Sequence, residues 1–179
     1  MKLFKFILVV FIAISISSCS DDLREPTIIL SKTNIAGSYS ITSLNVDKKI
    51  TLKTEVEGVI VPFDITSTSK GDTFQIHFKL EEDGSFEAAG QYRTTSTVTP
   101  AGGNSETDTS ILVTNSSGTF DIDTTNNTIN FSSSVGEFLT GTFDVVTFNE
   151  TSLVLYQEAE ETEDTMTTEM KTSISFERN

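Results

Sequence analysis

Several residue types that support enzymatic or metal chemistry are scarce in this chain. Its 179 residues include one cysteine (Cys19), one histidine (His77), three prolines and no tryptophan. A single cysteine cannot form an internal disulfide, and neither Cys19 nor His77 has the neighbours that a zinc site requires. The sequence also contains no Gly-x-Ser-x-Gly segment and no phosphate-binding loop. It therefore predicts neither an enzyme nor a cofactor or metal site, and His77 is expected on an exposed strand face.

Basic residues are also few. The chain has 12 lysines and arginines against 26 aspartates and glutamates, for a formal net charge of −14. Nucleic acids are bound by clustered lysine and arginine, so a nucleic-acid partner is excluded. The negative charge suits a protein that remains solvated beside an anionic cell surface.

Long apolar runs are absent, and the longest, Phe6–Ile14, has nine residues and follows two lysines. That length is too short for a membrane-spanning helix and is typical of a signal-peptide core. The next segment, Ile16-Ser17-Ser18-Cys19, resembles the lipobox of bacterial lipoproteins. The resemblance implies cleavage before Cys19, diacylation of its thiol and a lipid anchor in a membrane. The alternatives are a secretory peptide with an accidental cysteine, or an uncleaved anchor.

The residues after the cysteine carry a second targeting pattern. Ser20, Asp21 and Asp22 resemble the acidic export signal of Bacteroidota-type lipoproteins. This resemblance implies an outer-membrane protein that faces the cell surface, and the alternative is one that faces the periplasm. The predicted organisation is a signal peptide at 1–18, an acylated N-terminus and tether at 19–34, and one domain at 35–179.

From residue 35 onward the apolar pattern has a period of two, which predicts an all-β domain. Strands are predicted at 37–46, 50–57, 59–65, 74–80, 86–93, 110–122, 128–132, 141–148, 152–158 and 168–177. Pro62 is expected to place its strand at an edge or a bulge. Short turns such as Asp83-Gly84 favour an antiparallel up-and-down meander. About eight to ten strands are expected to close into a barrel, which removes exposed edges.

Several segments of this domain resemble the bacterial lipocalin-like lipoproteins. They are Gly37-Ser38-Tyr39, the Gly-x-Phe segments at 84–86, 118–120 and 141–143, Ser152–Tyr156 and Thr172–Arg178. The resemblance implies a lipocalin-like barrel in which Gly37 begins the first strand and Tyr39 packs beneath Arg178. The chain departs from the family pattern because it lacks the tryptophan of the Gly-x-Trp segment. The alternative is that Gly37 simply ends the tether and Tyr39 joins an ordinary core.

A barrel of this size encloses room for side chains or for one small ligand. Ala88 and Gly90 are expected to leave space beside Phe78, Phe86 and Tyr92, and these five residues form the predicted ligand site. The first functional hypothesis is binding of a small apolar or amphipathic ligand. The alternative is a structural, adhesive or protein-interaction module, a filled barrel or β-sandwich in which the small residues only fit the taper. Its partner, not identified by the sequence, would contact expected loops at 94–109 and 158–167.

Two further patterns lie in expected turns. The acidic run Glu158–Asp164 predicts a solvated hairpin loop, and its alternative is a loose calcium site of carboxylate oxygens. The segments Asp123-Thr124-Thr125 and Asp164-Thr165-Met166 resemble a three-residue O-glycosylation motif, which makes Thr124 and Thr165 candidate acceptors.

The lipobox interpretation predicts that membrane attachment depends on Cys19 alone, because no other side chain can carry the thioether-linked lipid. The Cys19→Ala variant should remain uncleaved or become soluble, and it should be missing from the detergent phase of a detergent partition. Retention of the variant in the membrane at the wild-type level would contradict the lipoprotein interpretation.

Overall fold

The computed structural model describes residues 28–179. The predicted signal peptide, the lipidation of Cys19 and the export signal at Ser20, Asp21 and Asp22 lie outside the described residues.

Within residues 28–179, one short helix precedes eight strands. The helix is α1 (Lys32–Ile35). The strands are β1 (Gly37–Val56), β2 (Val59–Leu80), β3 (Ser85–Thr99), β4 (Glu106–Asp123), β5 (Thr128–Val135), β6 (Gly141–Phe148), β7 (Ser152–Glu163) and β8 (Met166–Arg178). Each strand pairs antiparallel with the next, and β8 pairs with β1, so the sheet is a closed barrel. The predicted all-β, up-and-down barrel is confirmed, with eight strands.

Two pairs of predicted strands are single strands in the structure. The predicted segments at 37–46 and 50–57 form the continuous β1, and those at 59–65 and 74–80 form β2. Pairing with β2 continues through Lys48 and Lys49 without a break. Between the two predicted segments of β2 lies a bulge, from Asp72 to Gln75, where Thr73 has a φ of 52°. A bulge bends a strand without ending it, so β2 continues through this point and keeps its neighbours β1 and β3.

Two predicted loops are largely strand. The expected loop at 94–109 contains only the turn between Thr99 and Glu106, and the threonines flanking that turn face one another across β3 and β4. The acidic run expected as a hairpin loop lies in β7 up to Glu163 and pairs residue by residue with β8. Threonine favours strands, and acidic residues are tolerated in a strand when both faces reach water.

The strand lengths divide the barrel into two unequal ends. The closed end carries α1, the β2–β3, β4–β5 and β6–β7 turns and the C-terminus. The open end carries the β1–β2, β3–β4 and β7–β8 hairpins and the β5–β6 loop. Strands β5 and β6 have eight residues each, whereas β1 has 20 and β4 has 18. The hairpins of the longer strands therefore extend beyond the ring at the open end.

The core fills the half of the barrel next to the closed end. The rings of Phe78 and Phe176 stack at 4.8 Å, and Phe131 contacts Phe86 edge-on at 5.2 Å. Leu30 and the fully buried Ile35 continue this core beneath the barrel, so α1 closes its end. Each buried aromatic or aliphatic side chain stabilises the fold by about 1.5–3 kcal/mol.

The β1–β2 hairpin departs from the expected half-buried pattern. Val59, Val61, Phe63 and Ile65 share one face as predicted, but Val59 is 63% exposed and Phe63 is 42% exposed. Strand β3 pairs with β2 only from Thr66 onward, so the hairpin has no neighbour on that side. Pro62 consequently lies on an edge, which confirms its predicted position.

A substitution at Gly90 tests whether β3 must pass close to the bulge in β2. A Cβ at Gly90 would lie 2.0 Å from the carbonyl oxygen of Gln75, and the φ of Gly90 is +142°. Gly90→Ala should lower the free energy of unfolding by about 3 kcal/mol or more, because the clash is with backbone. Urea denaturation measures the loss.

Gly58→Ala is the matched control, since Gly58 also has a positive φ, +82°, but its Cβ would meet nothing within 4 Å. It should cost only about 1–2 kcal/mol of backbone strain. Equal losses for the two variants would contradict a steric role for Gly90.

Candidate functional site

A hydrogen-bonded cluster around Arg178 joins the first and last strands at the closed end. Arg178 pairs with Tyr39 across β1 and β8, and its Nε and Nη2 donate to the Tyr39 hydroxyl at 3.2 and 2.7 Å. The guanidinium carbon lies 5.3 Å from the centre of the Tyr39 ring. Arg178 Nη2 also donates to the carbonyl of Asn34, and the Tyr39 hydroxyl donates to the carbonyl of Ile35 at 2.6 Å. The cluster therefore holds α1 against the strands that close the barrel.

The residues that the sequence assigned to barrel closure are brought together in this cluster. A Cβ at Gly37 would lie 3.5 Å from Arg178 Nε, so Gly37 passes directly beside the guanidinium. Burial raises the pKa of Tyr39 and outweighs the hydrogen bond and positive charge of Arg178, which lower it. The phenol is thus neutral and donates its proton to Ile35, which suits a structural role.

A cavity of about 390 Å³ lies at the open end of the barrel, above the packed core. Its apolar lining consists of Leu44, Val46, Tyr92, Phe138, Phe143, Met170 and Ile174. Its polar lining consists of Glu137, Thr140, Gln157 and Thr172. An apolar cavity with a few polar groups is the usual form of a small-molecule site.

Tyr92 supplies an available polar group within this cavity. Its side chain is 9% exposed, and its ring stacks on Phe74 at 5.8 Å and meets Phe138 edge-on at 6.1 Å. Burial raises the pKa of its hydroxyl. Among residues 28–179 no group hydrogen-bonds that hydroxyl. A ligand in the cavity can therefore use it as a donor or an acceptor.

The segment 136–140 forms one rim of the cavity and is held in place by side chains from two strands. Ser133 Oγ donates to the carbonyl of Leu139 at 2.6 Å, and Leu139 is fully buried. Gln157 Nε2 donates to the carbonyls of Thr140 and Thr142 at 3.1 and 3.2 Å. These contacts position the half-buried Phe138 beside Tyr92.

The ligand residues predicted from the sequence lie mostly below this cavity. Phe78 and Ala88 are fully buried in the core, and Phe86 is 3% exposed. Gly90 serves the close approach to β2, and Tyr92 is the one member of the predicted set that lines the cavity. Phe138 and Phe143 also line the cavity and are not among the ligand residues predicted from the sequence. The apolar pair Phe138-Leu139 between two glycines was an available signal, because a loop that stays in solvent rarely needs two large apolar residues.

The remaining candidate residues lie on the surface. His77 is exposed, and its Nε2 is 3.7 Å from a carboxylate oxygen of Glu87. Thr124 and Thr165 both lie in exposed turns. Within the described part of the chain, no group of three or more histidine, cysteine, aspartate or glutamate side chains is arranged to hold a metal ion.

The fold and cavity define a closed eight-stranded antiparallel barrel with a packed closed end and a cavity at its open end. Comparison with protein-family models, with curated proteins and with solved structures finds no match to this chain. Among residues 28–179, no helix has the length and hydropathy that crossing a membrane requires.

The buried Tyr39 hydroxyl in the Arg178 cluster should make the stability of the fold depend on pH. The pKa of Tyr39 is raised above its ordinary value of 10.0 in the folded chain, so the unfolded chain loses this proton first. The stability contributed by the neutral phenol is complete below pH 10 and is lost as the pH rises above it.

Tyr39→Phe should cost about 1–2 kcal/mol at pH 7, because Arg178 and the Ile35 carbonyl lose a partner. The difference in the free energy of unfolding between wild type and variant should shrink above pH 10. Urea denaturation at several pH values measures this difference. A gap that stays constant or widens with pH would contradict the assignment.

Proposed function

We propose that this protein is a lipid-anchored lipoprotein whose barrel binds a small apolar or amphipathic ligand in the cavity at its open end. The observation that carries the proposal is the cavity of about 390 Å³, which falls in the size range of small-molecule sites. Its residues come from five of the eight strands and from the β5–β6 loop. The cavity is therefore a product of the whole barrel.

The lining indicates the chemistry of the ligand. The apolar walls favour an alkyl or aromatic body, and the Tyr92 hydroxyl provides one hydrogen-bonding point inside. Glu137 places a carboxylate at the rim, and the chain carries a net charge of −14. A neutral or cationic head group is therefore favoured over an anionic one, because like charges repel.

The position of residue 28 supports this function for an anchored protein. Residue 28 leads into α1 at the closed end, so a lipid on Cys19 would hold that end toward the membrane. The open end and its cavity would then face away from the lipid. We propose an outer-membrane location with the barrel facing the cell surface, based on Ser20, Asp21 and Asp22, and the alternative faces the periplasm.

A second candidate function is a non-enzymatic protein-interaction or adhesive module. The observation that favours it is the set of exposed apolar side chains on the projecting hairpins, including Val59, Ile60 and Phe63. Exposed apolar surface on a projecting element commonly marks an interaction site.

Binding in the cavity is tested with Nile red, a neutral apolar dye. The protein used is the soluble polypeptide of residues 20–179, which lacks the lipid-bearing Cys19. Wild type should bind the dye at one saturable site. Decylamine and decanol should displace it more effectively than decanoate does, because of Glu137. Val46→Trp should weaken dye binding about tenfold or more, because the larger side chain occupies the cavity.

Val56→Trp is the matched control, because Val56 lies on the same strand and the same face but outside the cavity. It should leave the dye affinity within about twofold of wild type. The wild-type chain has no tryptophan, so circular dichroism and the single new indole report on folding of both variants. Absence of saturable dye binding, or equal effects of the two variants, would contradict the cavity proposal.

A further inference from the structure

The part of β4 at the open end has a strand on one side only. Residues Glu106–Thr114 pair with β3, whereas β5 begins to pair with β4 only at Ser117. No strand formed by residues 28–179 runs along the other side of Glu106–Thr114. Alternate residues of this segment, called here the β4 edge, therefore direct backbone N–H and C=O groups toward solvent.

The β4 edge carries exposed apolar side chains at its centre. Ile111 is 66% exposed, Leu112 is 43% exposed and Val113 is 79% exposed. β-Branched residues on an unpaired edge favour pairing with another strand.

Two other free edges at the open end are protected against pairing, and the β4 edge differs from both. The upper part of β7 lacks a β6 neighbour beyond Tyr156, but it carries Glu160, Glu161 and Glu163. The free side of the β1–β2 hairpin contains Pro62, which cannot donate a hydrogen bond. Charges and proline are the usual devices that prevent edge pairing. The segment Thr109–Thr114 has neither.

Space for an added strand lies next to the β4 edge. At the open end, β4 and β7 border a gap that the short strands β5 and β6 leave above them. If β5 and β6 continued upward, three strand-to-strand spacings would separate β4 from β7. Without them, the gap between β4 and β7 is about 14 Å wide. An extended chain can therefore approach β4 without displacing any strand.

The charges beside the gap indicate what kind of strand fits. Glu106 and Asp108 lie on the β4 edge, and Glu160, Glu161 and Glu163 lie on the β7 side. None of these five carboxylates forms an ion pair with residues 28–179. Lysine or arginine on an incoming strand would be attracted from both sides. A second copy of this chain would bring further negative charge, since its net charge is −14.

We propose that the β4 edge binds an extended, cationic segment of a partner protein, which adds to the sheet as a ninth strand. The backbone ladder supplies affinity, the exposed Ile111 and Val113 pack against apolar side chains of the segment, and the carboxylates select its basic residues. No residue of the β4 edge lines the cavity. The β4 edge is also separate from the β1–β2 hairpin residues of the second candidate function. Binding at this edge therefore depends neither on that hairpin nor on a ligand in the barrel.

The test uses a fluorescein-labelled peptide of eleven residues that alternates valine with lysine or threonine. Two matched peptides are N-methylated, one at the odd positions and one at the even positions, so they keep the charge but lose the N–H groups of one side. Binding to residues 20–179 is measured by fluorescence anisotropy in 150 mM salt. The unmodified peptide should bind saturably, and only one methylated peptide should lose about tenfold or more in affinity.

A pair of substitutions locates the bound strand. Ile111→Lys should weaken binding about tenfold or more, because it adds a charge and removes apolar contact at the β4 edge. Ile60→Lys is the control, since Ile60 is an isoleucine of similar exposure, 67%, that lies on the β1–β2 hairpin. It should change the affinity about twofold or less. Hydrogen exchange should show protection of residues 106–114 when the peptide is bound.

Several outcomes would overturn the inference. One is the absence of peptide binding at 1 mM. Another is equal binding of all three peptides, which would indicate attraction between charges alone. The third is an equal effect of Ile111→Lys and Ile60→Lys on the affinity. Concentration-dependent self-association that Ile111→Lys abolishes would assign the edge to a second copy instead. Nile red binding to Ile111→Lys should match wild type, so failure of this inference and failure of the cavity proposal give different results.

Discussion

Pairing between the first and last strands is the constraint on which the other features of this protein depend. It extends from Tyr39 opposite Arg178 to Leu52 opposite Met166, and it removes two sheet edges at once. Because the ring is closed, the buried apolar side chains of all eight strands face a single interior and exclude water from its packed half. The guanidinium of Arg178 strengthens this closure, since it binds the buried Tyr39 hydroxyl and a carbonyl of α1 together.

The same closed ring has unequal strands, and this inequality produces the features at the open end. Strands β5 and β6 stop after eight residues, so the ring is complete near α1 and incomplete above it. The cavity lies where the packed core ends, and the segment 136–140 folds over one side of it. The free edge of β4 begins at the same level. The proposed ligand site and the proposed strand-docking site thus result from a single feature of the architecture.

Alternation of apolar and polar residues predicted most of the barrel and failed where both strand faces reach water. In Phe74–Leu80 one face is buried, so the pattern is clear and the strand was predicted. In the threonine-rich stretch at residues 95–99 and in the acidic end of β7, neither face is buried deeply, and the sequence resembles a loop. Hydrogen bonding to neighbouring strands holds these segments extended, and single-sequence periodicity does not register that interaction.

The sequence by itself determined the period-two pattern, the short turns and therefore an antiparallel meander with Tyr39 and Arg178 near its two ends. It did not determine where the interior is empty. Tyr92 and Phe138 meet at the cavity only because the bulge in β2, the register of β3 and the fold of the β5–β6 loop bring them together. Strand length, bulge position and the path of a loop are set by contacts between distant parts of the chain. Local composition carries little information about such contacts, so the tertiary structure alone decided the location of the candidate site.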